Sequence, residues 1–232
     1  SGISGSITEL KIEFDVAKTT SGVPNEATIK VWNLNGKNRN SIKEELTKVT
    51  LAAGYKYAGD KSIIFTGFVR DVKHTREKVD IITELQCGDG DKSAREGFMN
   101  KTFKKGTKVE EVVETIQKEG MPEVSKGEML GLDKLGELKR PWTMISNTGK
   151  ALNDLSRTFG FYWSIQDGKF ETIPHDGFIS GNTVISPKTG MIGVPTITDS
   201  GVIVECLLDA SLKPGRKVFV QSDTTDIGKP LI

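Results

Sequence analysis

Apolar and polar residues alternate with a period of two along the first part of the chain. The alternation covers residues 10–16 and 27–32 and recurs at 79–87, and further strands are predicted at 49–53 and 63–72. A period of two is typical of strands that bury one face. Several short strands at this spacing predict an antiparallel sheet that is closed or strongly curled.

Two local features interrupt this β pattern. Ser41 and Glu44 have the spacing of a capping box, in which a hydroxyl and a carboxylate each satisfy a free backbone amide, so a short helix is predicted there. Gly67 lies inside the 63–72 strand. Because glycine has no Cβ, it predicts a bulge or the close approach of another backbone.

After residues 88–90 the period changes from two to that of a helix. Residues 98–103 still predict a strand, and Thr107 and Glu110 then form a second capping box. The apolar stripe of an amphipathic helix follows, formed by Val109, Val112, Val113 and Ile116. Gly120 and Pro122 end this helix, and residues 121–141 are predicted to be mostly loop.

A second helix and a hairpin complete this middle block. The helix is predicted over residues 148–158, and Gly160 ends it. Apolar residues then alternate up to Asp167-Gly168, a dipeptide that favours a two-residue type I′ turn. That turn would place Ile165 opposite Phe170 and Trp163 opposite Thr172, with the hairpin packed on the helix.

The remaining residues return to strand patterns. Strands are predicted at 183–186, 202–208 and 216–221, with a turn at Pro214-Gly215. We therefore expect a mainly β protein, α+β overall, with three parts. These are a β-rich block over 1–97, an α+β block over 98–174 and a second β-rich block over 175–232.

Composition places the chain among globular proteins, with 36% hydrophobic and 27% charged residues. No apolar run approaches the about 20 residues of a membrane-spanning helix, so no membrane insertion is expected. The net charge of +1 argues against a dedicated nucleic-acid surface, which usually has a clustered basic excess. The chain opens on SGISGS without Met, which is compatible with a fragment of a longer protein.

Residues that could carry chemistry are few. Neither His74 nor His175 has a second ligand at metal-site spacing, so both are interpreted as surface or turn residues. Cys87 and Cys206 occupy apolar-face strand positions, and we expect buried, reduced thiols rather than a disulfide.

Several short motifs resemble known sites without completing them. Residues 146–150 lack the first glycine and the final Ser or Thr of a phosphate loop, and helix capping explains them better. Residues 89–91 are not followed by the glycine and glutamate that a calcium loop requires. Residues 199–201 resemble the nucleophile motif of a serine protease but lack its preceding glycine, and they suit a strand-to-strand turn. The acidic pairs at 44–45 and 110–111 are expected on the solvated faces of predicted helices, so they do not identify a glycosidase pair. No catalytic, cofactor-binding or metal-binding residue is therefore assigned, and the chain is not expected to be an enzyme.

Several stretches, taken in order, resemble the hub proteins of phage tail baseplates of the T-even central-hub type. They are residues 25–34 (NEATIKVWNL), 64–72 (IFTGFVRDV) with 87–90, 103–107 before a helix, 152–155, 159–163 with 167–168, and 193–195 through 207–209, 212–215 and 218–220. Each motif alone is common in small β proteins. Their order and spacing over about residues 25–222 are more specific.

The resemblance implies two tail-tube-like β-barrel domains, over 1–97 and 175–232, with an α+β element inserted over 98–174. The second barrel would be either incomplete or completed by another chain. It also implies a homotrimer whose six barrels form a ring that joins a sixfold tail tube to a threefold spike, with DNA only passing through the lumen. Tail tube proteins, the spike protein and other baseplate proteins would be its partners. Its place would be the virion tail baseplate, after assembly in the host bacterial cytoplasm.

Two other functions stay open. One is a different tail-tip, tube or injection-machine spike-base protein. The other is a tail-associated cell-wall hydrolase, which the lack of an assignable catalytic constellation disfavours. The chain also departs from the resemblance after its Pro-Gly turn, where such proteins usually carry at least one more strand.

Overall fold

A computed structural model describes residues 5–42, 47–56 and 61–222. Over these residues the fold is mainly β with curled sheets, as predicted. The chain divides into two compact units. The first comprises Ser1–Leu51 and Ile64–His175, and the second comprises Ala52–Ile63 and Asp176–Ile232.

A five-stranded sheet begins the fold, with the strand order β1-β2-β5-β4-β3. A short helix, α1 (Gly36–Ser41), follows β2. The strands are β1 (Ile12–Ala17), β2 (Asn25–Trp32), β3 (Lys48–Ala53), β4 (Ser62–Glu77) and β5 (Asp80–Asp89). All five overlap strands predicted from the sequence, and β2 pairs antiparallel with both β1 and β5.

One face of this sheet buries a small apolar core. Its members include Ala27, Ile29, Val31, Phe65, Val69, Leu85 and Cys87. Gly67 allows a close contact within it, because a Cβ at this position would lie 2.5 Å from the carbonyl oxygen of Gly88. The register of β4 against β5 shifts between Val69 and Asp71. The predicted close backbone approach at Gly67 is confirmed.

The capping box predicted at Thr107 and Glu110 is wrong, and the one predicted at Ser41 and Glu44 lies partly outside the described residues. The Asn35 side chain caps α1 by accepting a hydrogen bond from the N–H of Asn38 at 2.8 Å. Ser41 ends α1, and its hydroxyl donates to the Asn38 carbonyl at 2.7 Å. The residue that caps a helix here is therefore Asn35, directly before α1, and not Ser41 as the sequence pattern predicted. Residues 44 and 45 lie outside the described residues.

The middle of the chain contains five strands and three helices, and the two longer helices pack against each other. In chain order the elements are α2 (Asp91–Glu96), β6 (Phe98–Phe103), α3 (Val109–Gly120), β7 (Ser125–Met129), β8 (Trp142–Asn147), α4 (Thr148–Phe159), β9 (Phe161–Gln166) and β10 (Lys169–Pro174). Strands β7, β10 and β9 form one sheet, and β6 and β8 form another. Helix α3 begins after Lys108 with no side-chain cap, because the Thr107 hydroxyl donates to the Lys104 carbonyl instead.

Residues 121–141 are more ordered than predicted. Strand β7 pairs parallel with β10, and a 3₁₀ turn covers Leu132–Lys134. Leu132 and Leu138 are both buried in the core of the middle elements. The loop prediction was wrong because β7 has no apolar alternation, so only its pairing with a distant strand defines it.

The hairpin of β9 and β10 has the predicted register. Ile165 pairs with Phe170 and Trp163 pairs with Thr172. Asp167 and Gly168 form the two-residue turn, with φ values of 54° and 79°. Trp163 and Ile165 share a buried core with Leu152 and Leu155 of α4, so the predicted packing of hairpin on helix is confirmed.

The described residues from Asp176 onward in the second unit form four strands in two small sheets. These strands are β11 (Ile179–Ile185), β12 (Met191–Thr198), β13 (Gly201–Cys206) and β14 (Arg216–Val220). Strand β11 pairs parallel with β14, and β12 pairs antiparallel with β13. Three of the four were predicted. Strand β12 was not, because Gly193 and Pro195 interrupt its pattern.

Candidate assembly surfaces

The two histidines lie at the surface of the first unit, as predicted. The His74 Nδ1 lies 3.1 Å from the Thr83 hydroxyl on the neighbouring strand. The His175 ring lies 4.3 Å from the ring of Tyr162, between centroids. Neither histidine belongs to a group of three or more potential metal ligands among the described residues.

Both cysteines are free, but only one is buried as expected. Cys87 is buried in the sheet core, and burial raises the pKa of its thiol to about 11. Cys206 is only half-buried at the end of β13, opposite Met191. The expectation that Cys206 is largely buried was wrong, because β12 and β13 form a two-stranded sheet that leaves this position partly uncovered.

The motifs that resemble known sites have structural roles. Asn147 caps α4 through its side-chain oxygen, which accepts from the N–H of Lys150 at 2.8 Å. Gly90 takes a left-handed conformation at the start of α2. Residues 199–200 connect the paired ends of β12 and β13. The interpretations as a helix cap and as turns are therefore confirmed.

A network of buried polar side chains joins the five-stranded sheet to the β9–β10 hairpin; we call it the sheet–hairpin junction. The Asn25 amide donates to the Ile165 carbonyl at 2.8 Å and to the Gln166 side chain at 2.9 Å. Gln166 in turn donates to the Thr19 carbonyl at 2.8 Å. The Asp89 carboxylate accepts from the N–H of Gly168 at 2.9 Å.

Charged groups are also enclosed at this junction. The Lys18 ammonium lies 2.7 Å from an Asp167 carboxylate oxygen, and both side chains are largely buried. Burial raises the pKa of Asp89 to about 7, although backbone hydrogen bonds from Gly168 and Asp167 oppose the rise. Sequence reasoning treated Asp89 only as part of a turn, because its partners lie about eighty residues further along the chain.

The second unit leaves much of its apolar surface exposed. Among its large apolar residues, Ile179 and Ile185 are buried. On the β12–β13 hairpin, Ile197 is 61% exposed and Ile203 is 64% exposed. Further exposed members are Tyr55, Ile63, Phe178, Val184, Ile192, Val194, Leu207 and Leu208. Cross-strand partners share a face, so Ile197, opposite Val202, and Ile203, opposite Thr196, lie on opposite faces of the hairpin. Each is a candidate for contact with another protein.

A comparison with protein families gives a match over nearly the whole chain. A family model described as "Baseplate hub gp41" matches residues 4–226. No curated protein matches the chain. In the described residues, no helix is long and apolar enough to cross a membrane.

Solved structures of tail-related proteins have a similar fold. An E. coli component of the type VI secretion system, described as similar to the T4 tail proteins gp27 and gp5, gives a TM-score of 0.60 at 12% identity, covering 94% of this chain and 66% of its own. A 43 kDa tail protein of prophage MuSo2 from Shewanella oneidensis gives 0.54 at 9% identity, covering 92% and 68%. A tail protein from Neisseria meningitidis gives 0.53 at 12% identity, covering 91% and 67%. The chain thus spans about two thirds of the length of these structures.

Proposed function

Because the chain belongs to the baseplate hub gp41 family, we propose that it is a structural hub subunit that joins the tail tube to the spike around the DNA channel. The family match over residues 4–226 is the observation that carries this proposal. It covers both compact units rather than one of them. The proposed role therefore concerns the whole described chain and not a single module.

A symmetry argument gives this role its form. A tail tube has sixfold symmetry and a spike has threefold symmetry, so a connector between them has to match both. A homotrimer with two similar β domains in each chain provides six quasi-equivalent domains in one ring. We assign these domains to residues 1–97 and 175–232, with the 98–174 element inserted between them.

The exposed apolar surface of the second unit supports an assembled state. Ile197 and Ile203 lie on a hairpin that carries only two acidic residues, Asp199 and Glu205, and no basic residue. Burying such side chains against a neighbour contributes about 25 cal/mol for each Å² of apolar surface removed from water. A ring in which this hairpin contacts an adjacent chain would remove the apolar surface from solvent.

The charge balance suits a channel that DNA passes through. A strongly basic lumen would retain phosphates through the release of counterions, whereas the chain has a net charge of only +1. We propose that the protein is not an enzyme, that DNA is only in passage, and that its lasting contacts are with tube, spike and other baseplate proteins. Its place is the virion tail, after assembly in the host cytoplasm.

A second candidate is a spike-base subunit of a contractile injection machine. The similar structure from E. coli is described as a type VI secretion component, and its TM-score of 0.60 motivates this alternative. The two roles differ in what the native particle contains. A hub of a virion is recovered with particles that hold DNA, whereas a secretion component is recovered without a DNA-filled head.

Copy number tests the proposed role. Quantitative mass spectrometry of purified tails, with isotope-labelled peptides of this chain and of the tube protein, gives the copies of each per tail. We expect three copies of this chain per tail, against a multiple of six for the tube protein. Six copies, or a number that varies with tail length, would exclude a trimeric hub.

A further inference from the structure

The two-stranded sheet of β6 and β8 has one face in the core and one face uncovered. Met99, Phe103 and Met144 point into the core beside α3 and α4. The opposite face presents Thr102 and Thr143, whose hydroxyl oxygens lie 2.9 Å apart. The contact shows that Thr102 and Thr143 lie on the same face of the sheet. Because side chains alternate along a strand, Phe98, Asn100 and Ile145 lie on this outer face too.

One end of the outer face is apolar. Ile145 is 68% exposed and Phe98 is 61% exposed. The register pairs Ile145 with Asn100, and Phe98 stands two residues before Asn100 on the same face. Phe98 and Ile145 are therefore diagonal neighbours, close enough for one partner side chain to contact both. Isolated exposed apolar residues are ordinary, but an adjacent pair on an uncovered sheet face is a candidate contact.

The other end of the face is cationic. Lys104 and Lys105 follow β6, and Lys139 and Arg140 precede β8. Two backbone hydrogen bonds of 2.9 Å each hold these segments together, from Gly106 N to Leu138 O and from Leu138 N to Thr107 O. All four cations are exposed. Within the described part of the chain they form no ion pair, whereas nearby Lys101 pairs with Glu119.

We propose that this face binds an acidic protein surface on another component of the tail. We call it the β6–β8 docking face, formed by Phe98, Asn100, Thr102, Thr143 and Ile145 with the cations Lys104, Lys105, Lys139 and Arg140. The partner would place an apolar side chain on Phe98 and Ile145 and carboxylates opposite the four cations. The inference rests on the proposed function, since it takes a tail neighbour as the partner.

Charge and shape together favour a protein with carboxylates over the alternatives. Duplex DNA would satisfy the cations with phosphates, but its base faces are stacked inside the helix and cannot contact Phe98 and Ile145, which lie roughly 13–20 Å away along the strands. A second copy of the same face offers more cations, and neither β6 nor β8 contains an acidic residue. A different protein with an apolar centre and an acidic rim complements both ends.

Site-specific photo-crosslinking in assembled tails tests this proposal. A photoreactive amino acid replaces Ile145, tails are purified and irradiated, and the crosslinked peptides are sequenced by mass spectrometry. We expect one adduct with a different tail protein, at a segment that contains Asp and Glu. The same amino acid at Val79, which is 85% exposed on the first unit, serves as the control for mere exposure.

Charge reversal provides the second arm. Lys104→Glu with Lys139→Glu should lower the crosslink yield from position 145 on the order of tenfold, since repulsion replaces attraction at the rim. The matched control, Lys118→Glu with Lys169→Glu, reverses two exposed cations outside this face and should change the yield by less than twofold. The charge-reversed chain could also fail to assemble into tails. If its control does assemble and the two variants have equal melting temperatures, this failure supports the proposal as well.

Several outcomes would overturn the docking face. They are no adduct from position 145, an adduct with DNA or with another copy of this chain, and a yield that charge reversal leaves unchanged. The copy-number measurement separates this proposal from the hub role. Three copies per tail without the predicted adduct would reject the docking face alone, whereas the adduct with six copies would reject the trimeric hub alone.

Discussion

Asp89 accepts a hydrogen bond from the backbone N–H of Gly168 at 2.9 Å, which ties the end of β5 to the turn of the β9–β10 hairpin. The second carboxylate oxygen of Asp89 is buried without a hydrogen-bond partner. An unpaired charged oxygen in this position is costly, and burial accordingly raises the pKa of Asp89 to about 7. We therefore expect the contact between the sheet and the middle elements to depend on pH.

The sign of this pH dependence follows from the raised pKa. Between the ordinary value of 3.8 and about 7, folded Asp89 holds a proton that the unfolded chain has lost. The free energy of unfolding should therefore fall as pH rises through this window, by an amount on the order of a few kcal/mol. Asp89→Asn should remove most of the slope, as measured by urea unfolding between pH 4.5 and 8, values that span roughly the same window.

Lys18 and Asp167 also carry charge at this junction, so a matched variant is needed. Asp167→Asn breaks the ion pair with Lys18 and keeps Asp89. It should lower stability while leaving a clear slope with pH. An Asp89→Asn variant whose unfolding free energy varies with pH as steeply as that of the parent chain would contradict the assignment.

Trp163 anchors the hairpin on α4. The side chain is 4% exposed, and its Nε1 donates to the Asn153 side chain at 2.9 Å. Trp163→Ala should lower the free energy of unfolding by about 3–5 kcal/mol, because it leaves a large cavity in the core. Trp32→Ala is the control, since Trp32 is half-buried beside Lys11 and should cost less. Equal melting temperatures for the two variants would show that the packing assignment is wrong.

Gly67 has no room for a side chain. A Cβ there would lie 2.5 Å from the Gly88 carbonyl oxygen, which belongs to backbone and cannot move alone. We expect Gly67→Ala to cost about 1–3 kcal/mol in thermal or urea unfolding. Gly36→Ala provides the comparison, because its nearest neighbour would be the Arg39 side chain at 3.7 Å. A Gly67→Ala variant as stable as the Gly36→Ala variant would contradict the close approach.

Local patterns predicted the elements that depend on local physics. The hairpin register was predicted correctly because Asp167-Gly168 favours a two-residue type I′ turn, and such a turn fixes which residues pair. Helix α4 was predicted from its apolar stripe. Strand β7 was missed because it exists through pairing with β10, about forty residues away. Pairing at such a distance leaves no periodic signal in a single sequence.

The candidate surfaces were less predictable than the fold. The apolar outer face of β6–β8 depends on β8, which had not been predicted, so Ile145 could not be assigned to a face. The role of Asp89 depends on Gly168, which only the folded chain brings near. By contrast, the order of short motifs over residues 25–222 was enough to predict the hub family, which matches residues 4–226.

The cysteines should differ in reactivity. Cys87 is buried and its raised pKa of about 11 keeps the thiol protonated, so it should resist a thiol reagent in the native state. Cys206 is half-buried and should react first. Mass spectrometry after timed labelling should find one modified cysteine, then two after denaturation. A native mass lower by two hydrogens would instead indicate a disulfide.

A density map of the native tail, reconstructed without imposed symmetry, tests the hub role most directly. The proposed assembly predicts three copies of this chain in one ring, with the β domains of 1–97 and 175–232 lining the channel and the 98–174 element outside. Six copies in the ring, or the 98–174 element inside the lumen, would contradict it.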